Sequence, residues 1–124
     1  MAKAMVIDDS RAIRMILTRS LNQLGFEVCS AGNGQEALTI LEQQAPELDC
    51  FLVDWNMPEV NGIEFVERVR RMPDYLNVPL MMVTTETEVD QMVRALEAGA
   101  NEYVMKPFTA EIIADKLRMM GVLE

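Results

Sequence analysis

The chain contains no histidine, one tryptophan and only two cysteines among its 124 residues. Without an imidazole, the protein has no histidine of its own to act as a base, a nucleophile or a metal ligand. Chemistry that needs one must take it from a partner. Cys29 and Cys50 form no Cys-x-x-Cys motif, and we expect both thiols to be reduced and buried, as in a reducing compartment.

Long apolar runs and a basic charge excess are also missing. No segment approaches the ~20 apolar residues of a membrane span. The apolar start Met5-Val6-Ile7 runs into Asp8-Asp9, so it is too short for the ~7–15-residue core of a signal peptide. The net charge of −9 disfavours nucleic acids and anionic membranes. We therefore expect a cytoplasmic protein that binds neither.

The composition that remains is that of a globular protein. Half of the residues are apolar and a quarter are charged, which suffices for a packed core. A length of 124 residues suits one compact domain, so residues 1–124 are predicted to form a single domain. The last predicted helix ends close to the C-terminus, and we expect no output domain to follow.

Five short apolar segments predict strands. Three of them are apolar throughout, as is typical of parallel strands buried on both faces. The predicted strands are, in order, Ala4–Ile7, Phe26–Cys29, Cys50–Val53, Leu80–Val83 and Glu102–Met105, of which the first, third and fourth are apolar throughout.

The intervals between these segments carry helical patterns and cap residues. The predicted caps are Asn33 with Glu36, Asn61 with Glu64, Thr87 with Asp90, and Thr109. Apolar stripes spaced three and four residues apart mark the first, fourth and fifth helices. They comprise Ile13, Ile16, Leu17, Leu21 and Leu24; Val89, Met92, Val93 and Leu96; and Ile112, Ile113, Leu117 and Met120.

Strands and helices therefore alternate along the chain, which predicts a parallel sheet with helices on both faces. Because crossovers between parallel strands are right-handed, we expect a doubly wound α/β fold, a flavodoxin-like three-layer sandwich. The strand order 2-1-3-4-5 is taken from the order that describes this type of sheet, flavodoxin and the chemotaxis regulator being its standard examples.

Polar side chains follow all five predicted strands. They are Asp8 and Asp9 after strand 1, Ser30 after strand 2 on the outer side of the sheet, Asp54 after strand 3, Thr84 after strand 4 and Lys106 after strand 5. Ligands of doubly wound sheets bind at the carboxyl ends of the strands, where the strand order reverses. In the order 2-1-3-4-5 that point lies between strands 1 and 3, so the three acids should converge in one crevice.

Three convergent carboxylates repel one another, by roughly 4 kcal/mol for one pair at 4 Å and an effective dielectric constant of 20. They must take up a proton or bind a cation, and Lys106 supplies only one positive charge. Mg²⁺ is the cation that we expect to relieve this repulsion, because it binds one or two carboxylates and leaves coordination positions for a phosphate oxygen. Each residue alone could be a cap, a turn residue or a solvated lysine, but their combination predicts a magnesium and phosphate site.

These residues resemble the response-regulator receiver domains of two-component signalling. The resemblance covers nearly the whole chain, from Val6-Ile7-Asp8-Asp9-Ser10 to Lys106-Pro107-Phe108-Thr109-Ala110, and includes the intervals between the site residues. The latter segment and Asp54-Trp55-Asn56-Met57-Pro58 look like those of single-domain, CheY-like chemotaxis receivers in particular.

The resemblance implies a role for each site residue. Asp54 is the phosphoacceptor, which attacks phosphorus and forms an acyl phosphate. Asp9 and Asp54 bind Mg²⁺ directly, Asp8 binds it mostly through water, and Asn56 lends its backbone carbonyl. Lys106 pairs with phosphoryl oxygens, and Thr84 donates a hydrogen bond to one of them. The donor is a phosphohistidine on a sensor histidine kinase, in agreement with the absence of histidine here.

The resemblance also implies a conformational switch. After phosphorylation Thr84 moves toward the phosphoryl group and Tyr103 turns inward, which remodels the partner face of helix 4, strand 5 and helix 5. Phe108 is assigned to the same switch and partner face, and the Lys106–Pro107 bond is expected to be cis.

The predicted function is thus a stand-alone receiver that switches an effector protein, such as a flagellar motor switch component, in chemotaxis. A monomer is expected, with a phosphatase as a further candidate partner. The protein is expected to catalyse only its own phosphorylation and dephosphorylation, so it is not an enzyme with a turnover substrate. A phosphorelay shuttle, a regulator of a non-chemotaxis effector and a phosphate-independent binding module stay open.

Two other classes fit the residues poorly. A haloacid-dehalogenase-type phosphatase carries an Asp-x-Asp arrangement after strand 1, whereas Asp8 and Asp9 are adjacent here. A flavodoxin needs a loop rich in hydroxyls and glycine at that point, and this loop is acidic. One position departs from the receiver pattern: Thr85 stands where a small residue is usual, and we hypothesise that it narrows access to Asp54.

Overall fold

The structure is a computed structural model, and it describes residues 2–85 and 88–124. Strands and helices alternate in the described residues, as the sequence predicts. The elements are β1 (Lys3–Ile7), α1 (Arg11–Gln23), β2 (Glu27–Ala31), α2 (Gly34–Gln44), β3 (Cys50–Val53), α3 (Gly62–Val69), β4 (Leu80–Thr84), α4 (Val89–Ala98), β5 (Glu102–Met105) and α5 (Ala110–Met119).

All five strands are parallel and form one sheet in the order β2-β1-β3-β4-β5. The predicted fold class and strand order are confirmed. The predicted bounds of β3 and β5 agree with the structure, and β1, β3 and β4 are buried almost throughout. β2 differs most, because it begins at Glu27 and runs to Ala31. As an edge strand it is only partly buried, so its apolar residues mark its ends poorly.

Alternate residues of the sheet face two separate core layers. Met5, Ile7 and Phe51 pack with α2, α3 and α4 on one side of the sheet. Ala4, Val6 and Leu52 pack with α1 and α5 on the other. Both layers are apolar, and the polar residues that end the strands lie at the carboxyl edge of the sheet.

Side-chain caps begin four of the helices. Ser10, Asn33, Asn61 and Thr109 each accept a hydrogen bond from the backbone N–H three residues ahead, which satisfies a donor that the first turn leaves unpaired. The predicted caps at Asn33, Asn61 and Thr109 are confirmed. Thr87, the cap predicted for α4, lies outside the described residues.

The predicted stripe of α4 has the right period but does not form the core. Val89, Val93 and Leu96 are 71%, 46% and 48% exposed, and the buried residue of this helix is Ala95. Ile16 of α1 and Ile112 of α5 are exposed in the same way. An apolar stripe shows that a segment is helical, but these helices approach the sheet through neighbouring faces and leave part of the stripe on the surface.

Both cysteines are free, as expected. Cys50 is buried, and burial, with a smaller contribution from the charge of Asp49, raises the pKa of its thiol to about 12. Cys29 is only half-buried, on the edge strand. Of the helices found in residues 2–85 and 88–124, none has the length and apolar character that crossing a bilayer requires.

Two glycines allow the loop between β3 and α3 to lie close to the sheet. A Cβ atom on Gly62 would lie 2.5 Å from the backbone oxygen of Asp54 and 2.9 Å from Cα of Trp55. A Cβ atom on Gly34 of α2 would lie 2.7 Å from the backbone oxygen of Val60. The loop that carries Asp54 is therefore held between the first residues of two helices, where no larger residue fits.

We predict that Gly62→Ala destabilises the protein by about 1–3 kcal/mol, the usual cost of overpacking. Helix propensity alone predicts the opposite effect, because alanine normally stabilises a helix relative to glycine by ~1 kcal/mol. A loss of stability would therefore report the close contact at Gly62. Urea unfolding measures the change. Gly32→Ala is the control, because its Cβ atom would meet no backbone and only the ends of two long side chains, Arg14 at 3.4 Å and Glu36 at 3.5 Å. Equal stabilities for the two variants would contradict the close approach.

Candidate functional site

The backbone of the sheet places the polar residues beyond the strand ends. The N–H groups of Asp8, Asp54 and Lys106 donate to the carbonyls of Ala31, Ile7 and Thr84 at 3.2, 2.9 and 2.8 Å. Each bond continues the ladder of the sheet by one residue. The side chains of neighbouring strands therefore start from fixed positions at one edge.

Three carboxylates meet at this edge. Oxygen atoms of Asp8, Asp9 and Asp54 all lie within 4.8 Å of one another. Asp8 is 1% exposed and Asp54 is 5% exposed, whereas Asp9 faces solvent. The convergence predicted from the strand ends is present, and the cluster is open to solvent on the side of Asp9.

Lys106 supplies the positive charge of the cluster. Its Nζ atom lies 2.8 Å from Oδ2 of Asp8 and 3.6 Å from Oδ2 of Asp54. The ammonium group at the end of β5 thus reaches past β4 and contacts the acids that follow β3 and β1. In the part of the chain that the structure describes, one cation faces three carboxylates, so the cluster keeps an excess of negative charge.

Both carboxylate oxygens of Asp8 accept hydrogen bonds. Its Oδ1 atom accepts from the backbone N–H of Ser10 at 2.8 Å, and its Oδ2 atom accepts from Lys106. Arg14 of α1 donates from Nη1 to the Asp8 carbonyl at 2.7 Å. Asp8 is therefore the most constrained of the three acids, which suits the water-mediated metal contact that the resemblance implies for it.

Burial and the neighbouring acid act on Asp54. Loss of solvation, and then the charge of Asp8, raise the pKa of this carboxyl above its ordinary value of 3.8. The Lys106 charge and hydrogen bonds with the Thr84 side chain and the Asn56 backbone act in the opposite direction. Ionised Asp54 is thus a carboxylate that gains from a further cation.

The donor set fits a hard divalent cation. All three groups offer carboxylate oxygens, which Mg²⁺ prefers, and their mutual distances allow more than one to approach the same ion. Lys106 does not fill this role, because its contacts reach Asp8 and Asp54 and leave a net negative charge. Asn56 follows at the exposed start of the β3–α3 loop, with its backbone bonded to Asp54.

The remaining predicted residues lie at different depths. Thr84 is fully buried as the last residue of β4, and Thr85 after it is exposed. Tyr103 is half-buried in β5 and packs with the α2–α3–α4 layer. Phe108 packs with the opposite α1–α5 layer, so the structure does not bring Tyr103 and Phe108 into one cluster. The Lys106–Pro107 bond is cis, as the resemblance implied.

Sequence reasoning missed Arg14 and Gly62. Arg14 looks like one of several polar residues of α1, and only the fold shows that it reaches the carbonyl of Asp8. Gly62 directly follows the cap Asn61, and its close approach to Asp54 is a tertiary contact. Neither has a local pattern that distinguishes it from an ordinary residue of its type.

Comparison with known proteins identifies similar chains. Residues 4–118 match the family described as response regulator receiver domain. The chemotaxis protein CheY1 of Helicobacter pylori is 39% identical over 119 residues, 95% of either chain. A CheY homolog of Campylobacter jejuni is 40% identical over 116 residues, 93% of this chain and 88% of that one. The structure of Vibrio cholerae CheY4 superposes with a TM-score of 0.90 at 36% identity, covering 97% of this chain and 98% of that chain.

We predict that Asp54→Asn stabilises the metal-free protein at neutral pH by about 1–2 kcal/mol. The gain from relieving burial of the charge and repulsion by Asp8 is offset in part by the lost pairing with Lys106. The folded state raises the pKa of Asp54, so it holds this proton more tightly than the unfolded state does. Protonated Asp54 therefore contributes to the stability of the folded state. This contribution is fully present below pH 3.8 and is lost as the pH rises through the folded pKa.

The measurement is thermal or urea unfolding of both proteins in a chelator, over a series of pH values. The advantage of the variant should grow above pH 3.8 and then level off. A difference that is constant with pH, or that has the opposite sign, would contradict the charge argument.

Proposed function

Because the chain belongs to the response regulator receiver domain family, we propose that it is a signalling switch that accepts a phosphoryl group on Asp54. The observation that carries the proposal is the geometry at the carboxyl edge. The buried carboxylate of Asp54 lies beside two further acids and 3.6 Å from the Lys106 ammonium.

Asp54 is the nucleophile of the proposed reaction. One of its carboxylate oxygens forms a bond to the phosphorus of a phosphohistidine, and the phosphorus–nitrogen bond of the donor breaks. The electron pair of that bond leaves with the imidazole nitrogen, which takes up a proton from water. The product on this chain is an acyl phosphate, and attack by water on phosphorus later restores the carboxylate.

Lys106 and Thr84 orient and stabilise the phosphoryl group. The ammonium of Lys106, which now contacts Asp8 and Asp54, is close enough to pair with phosphoryl oxygens. The Thr84 hydroxyl, at the end of the adjacent strand, donates to another of them. Such positioning and charge neutralisation make up most of what a protein contributes to phosphoryl transfer.

Mg²⁺ is the proposed cofactor, held by Asp9, Asp54 and the Asn56 carbonyl, with Asp8 acting through water. It would neutralise the charge that accumulates when a phosphoryl group enters a cluster of acids. The protein catalyses its own phosphorylation and hydrolysis in this scheme and has no turnover substrate.

Exposed apolar side chains support an output face on α4, β5 and α5. Val89, Val93, Met105 and Met119 are 71%, 46%, 42% and 68% exposed. Apolar groups that a monomer leaves in water are often covered by a partner. Tyr103 lies half-buried in the central strand of this face. Movement of Thr84 toward the phosphoryl group, with inward rotation of Tyr103, would change the shape of the face.

Chemotaxis is the proposed pathway, because relatives over nearly the whole chain carry the name of chemotaxis proteins. The partners would then be a sensor histidine kinase, a flagellar motor switch component and a phosphatase. The protein would act as a cytoplasmic monomer. A phosphorelay shuttle or a regulator of another effector would use the same Asp54 chemistry and differ only in the partner.

Incubation with phosphoramidate and Mg²⁺, followed by intact-mass measurement, tests the phosphoacceptor. We expect one phosphoryl group on the wild type and none on Asp54→Asn. Lys106→Met should react more slowly by at least about a hundredfold, the usual loss when a charge-stabilising group is removed. Lys116→Met, a lysine paired with Glu102, is the matched control and should behave as the wild type. Equal labelling of Asp54→Asn would refute the assignment.

Thr85→Ala tests the one departure from the receiver pattern. Thr85 is exposed and directly follows Thr84, and we propose that its β-branched side chain narrows the approach of water and small donors to Asp54. We expect the alanine variant to lose its phosphoryl group several-fold faster, measured from the decay of the phosphorylated mass after the donor is removed. Equal decay rates would show that Thr85 does not control access.

A further inference from the structure

The three acids of the cluster are held in place to different degrees. The carboxylate of Asp8 accepts two hydrogen bonds, and the carboxyl of Asp54 has hydrogen bonds of its own. Asp9 is exposed, and within residues 2–85 and 88–124 its carboxylate has no hydrogen bond and no ion pair. The acid that is proposed to bind Mg²⁺ from the solvent side is therefore the one whose side chain is least constrained.

The backbone must then place Asp9 near the other two acids. The peptide unit that joins Asp8 to Asp9 is planar, so the direction of the Asp8 carbonyl also sets the position of the Asp9 Cα atom. The N–H of Asp8 donates to the Ala31 carbonyl at 3.2 Å. Among the described residues, the Asp8 carbonyl accepts a single hydrogen bond, from Nη1 of Arg14 at 2.7 Å. One side-chain contact thus fixes the peptide plane from which Asp9 extends.

The helix α1 directs Arg14 back toward the acids. Helical side chains lean toward the N-terminus of their helix, and α1 begins directly after the acids, with Ser10 as its cap. The N–H of Arg14 donates to the Ser10 carbonyl at 3.0 Å, so Arg14 lies one turn inside the helix. Its side chain is half-buried, and its Nη1 atom would lie 3.4 Å from a Cβ atom on Gly32. The guanidinium therefore lies between the loops that follow β1 and β2, whereas Arg19 of the same helix is exposed.

We propose that Arg14 is a positioning residue for the metal site, which holds the backbone of Asp9 where the Asp9 carboxylate meets the ion. The inference rests on the Mg²⁺ site of the proposed function and adds to it a residue that does not touch the ion. Removing a group that orients metal ligands from behind usually costs 10–100-fold in metal affinity. Arg14 acts through the backbone of Asp8, so we expect an effect of about tenfold, near the lower end of that range.

The charge of Arg14 acts in the opposite direction to its hydrogen bond. A guanidinium 2.7 Å from the Asp8 carbonyl brings positive charge close to the acids and repels an incoming cation. Loss of this charge alone would therefore tighten Mg²⁺ binding. Loss of the hydrogen bond would instead free the peptide plane before Asp9 and weaken Mg²⁺ binding. The direction of the change thus separates positioning from simple electrostatics.

Calorimetric titration of the protein with Mg²⁺ tests the proposal. We expect Arg14→Ala to raise the dissociation constant on the order of tenfold. Arg14→Lys keeps the charge and a single compact donor, so its dissociation constant should lie between those of the wild type and Arg14→Ala. Arg19→Ala is the matched control, because it removes the same charge about 7.5 Å further along the helix. Its charge is exposed to solvent and screened from the acids, so this variant should bind Mg²⁺ as the wild type does.

A second measurement follows the backbone of Asp9 without any metal. In isotopically labelled protein with a chelator present, Arg14→Ala should shift or broaden the amide signals of Asp9 and Ser10, and Arg19→Ala should leave them unchanged. The Asp9→Asn background then shows whether the effect on Mg²⁺ passes through Asp9. If it does, Arg14→Ala should change Mg²⁺ affinity much less in that background than in the wild type.

Urea unfolding first establishes that the variants are folded, and Arg14→Gln replaces Arg14→Ala if the alanine variant is unstable. Unchanged or tighter Mg²⁺ binding by the folded Arg14 variant would overturn the proposal and leave the metal site of the wild type intact. Unchanged amide signals of Asp9 and Ser10, or equal fold-changes in the wild type and the Asp9→Asn background, would also overturn it. A wild type that binds no Mg²⁺ is a different result, because it would refute the proposed metal site itself and the role of Arg14 with it.

Discussion

Three carboxylates that repel one another are held together at the carboxyl edge of the sheet. Asp8 and Asp54 are nearly fully buried there, and Asp9 lies on the solvent side of the cluster. Among residues 2–85 and 88–124, Lys106 supplies the one ammonium that contacts these acids. Such an arrangement costs stability unless a proton or a cation enters. The destabilising charges are confined to this edge of the sheet, and both core layers are apolar. Such local departures from stable packing are typical of functional sites.

The surrounding backbone keeps the acids together despite their repulsion. Ladder hydrogen bonds continue past the ends of β1, β3 and β5, and Arg14 of α1 donates a hydrogen bond to the carbonyl of Asp8. Gly62 brings the start of α3 against the backbone of Asp54. These contacts join the site to helices on both sides of the sheet, so a phosphoryl group at Asp54 would act on elements that are already packed together. Because β4 pairs with β5, a movement of Thr84 at the end of β4 would affect the neighbouring strand that carries Tyr103.

The sequence predicts the architecture and the acid cluster well, because both depend on periodic or directly sequential features. Buried strands such as Cys50–Val53 are continuous apolar runs, and the acids follow directly where those strands end. It predicts less well what depends on the orientation of whole elements. The α4 stripe has the right period but lies on the surface, and Phe108 packs away from Tyr103. The role of Arg14 is visible only in the folded structure, because its side chain donates a hydrogen bond to the carbonyl of Asp8, six positions earlier.

Magnesium binding by the acid cluster is tested most directly by a Mg²⁺ titration followed by the fluorescence of Trp55. This residue is the only tryptophan of the chain, lies buried and directly follows Asp54. If the acids form a metal site, the signal should change along a saturable one-site curve in the wild type, and Asp9→Asn should shift that curve to higher Mg²⁺ concentration. A folded protein whose Trp55 signal does not respond to Mg²⁺, or an Asp9→Asn variant with an unchanged curve, would show that the acid cluster does not bind the ion.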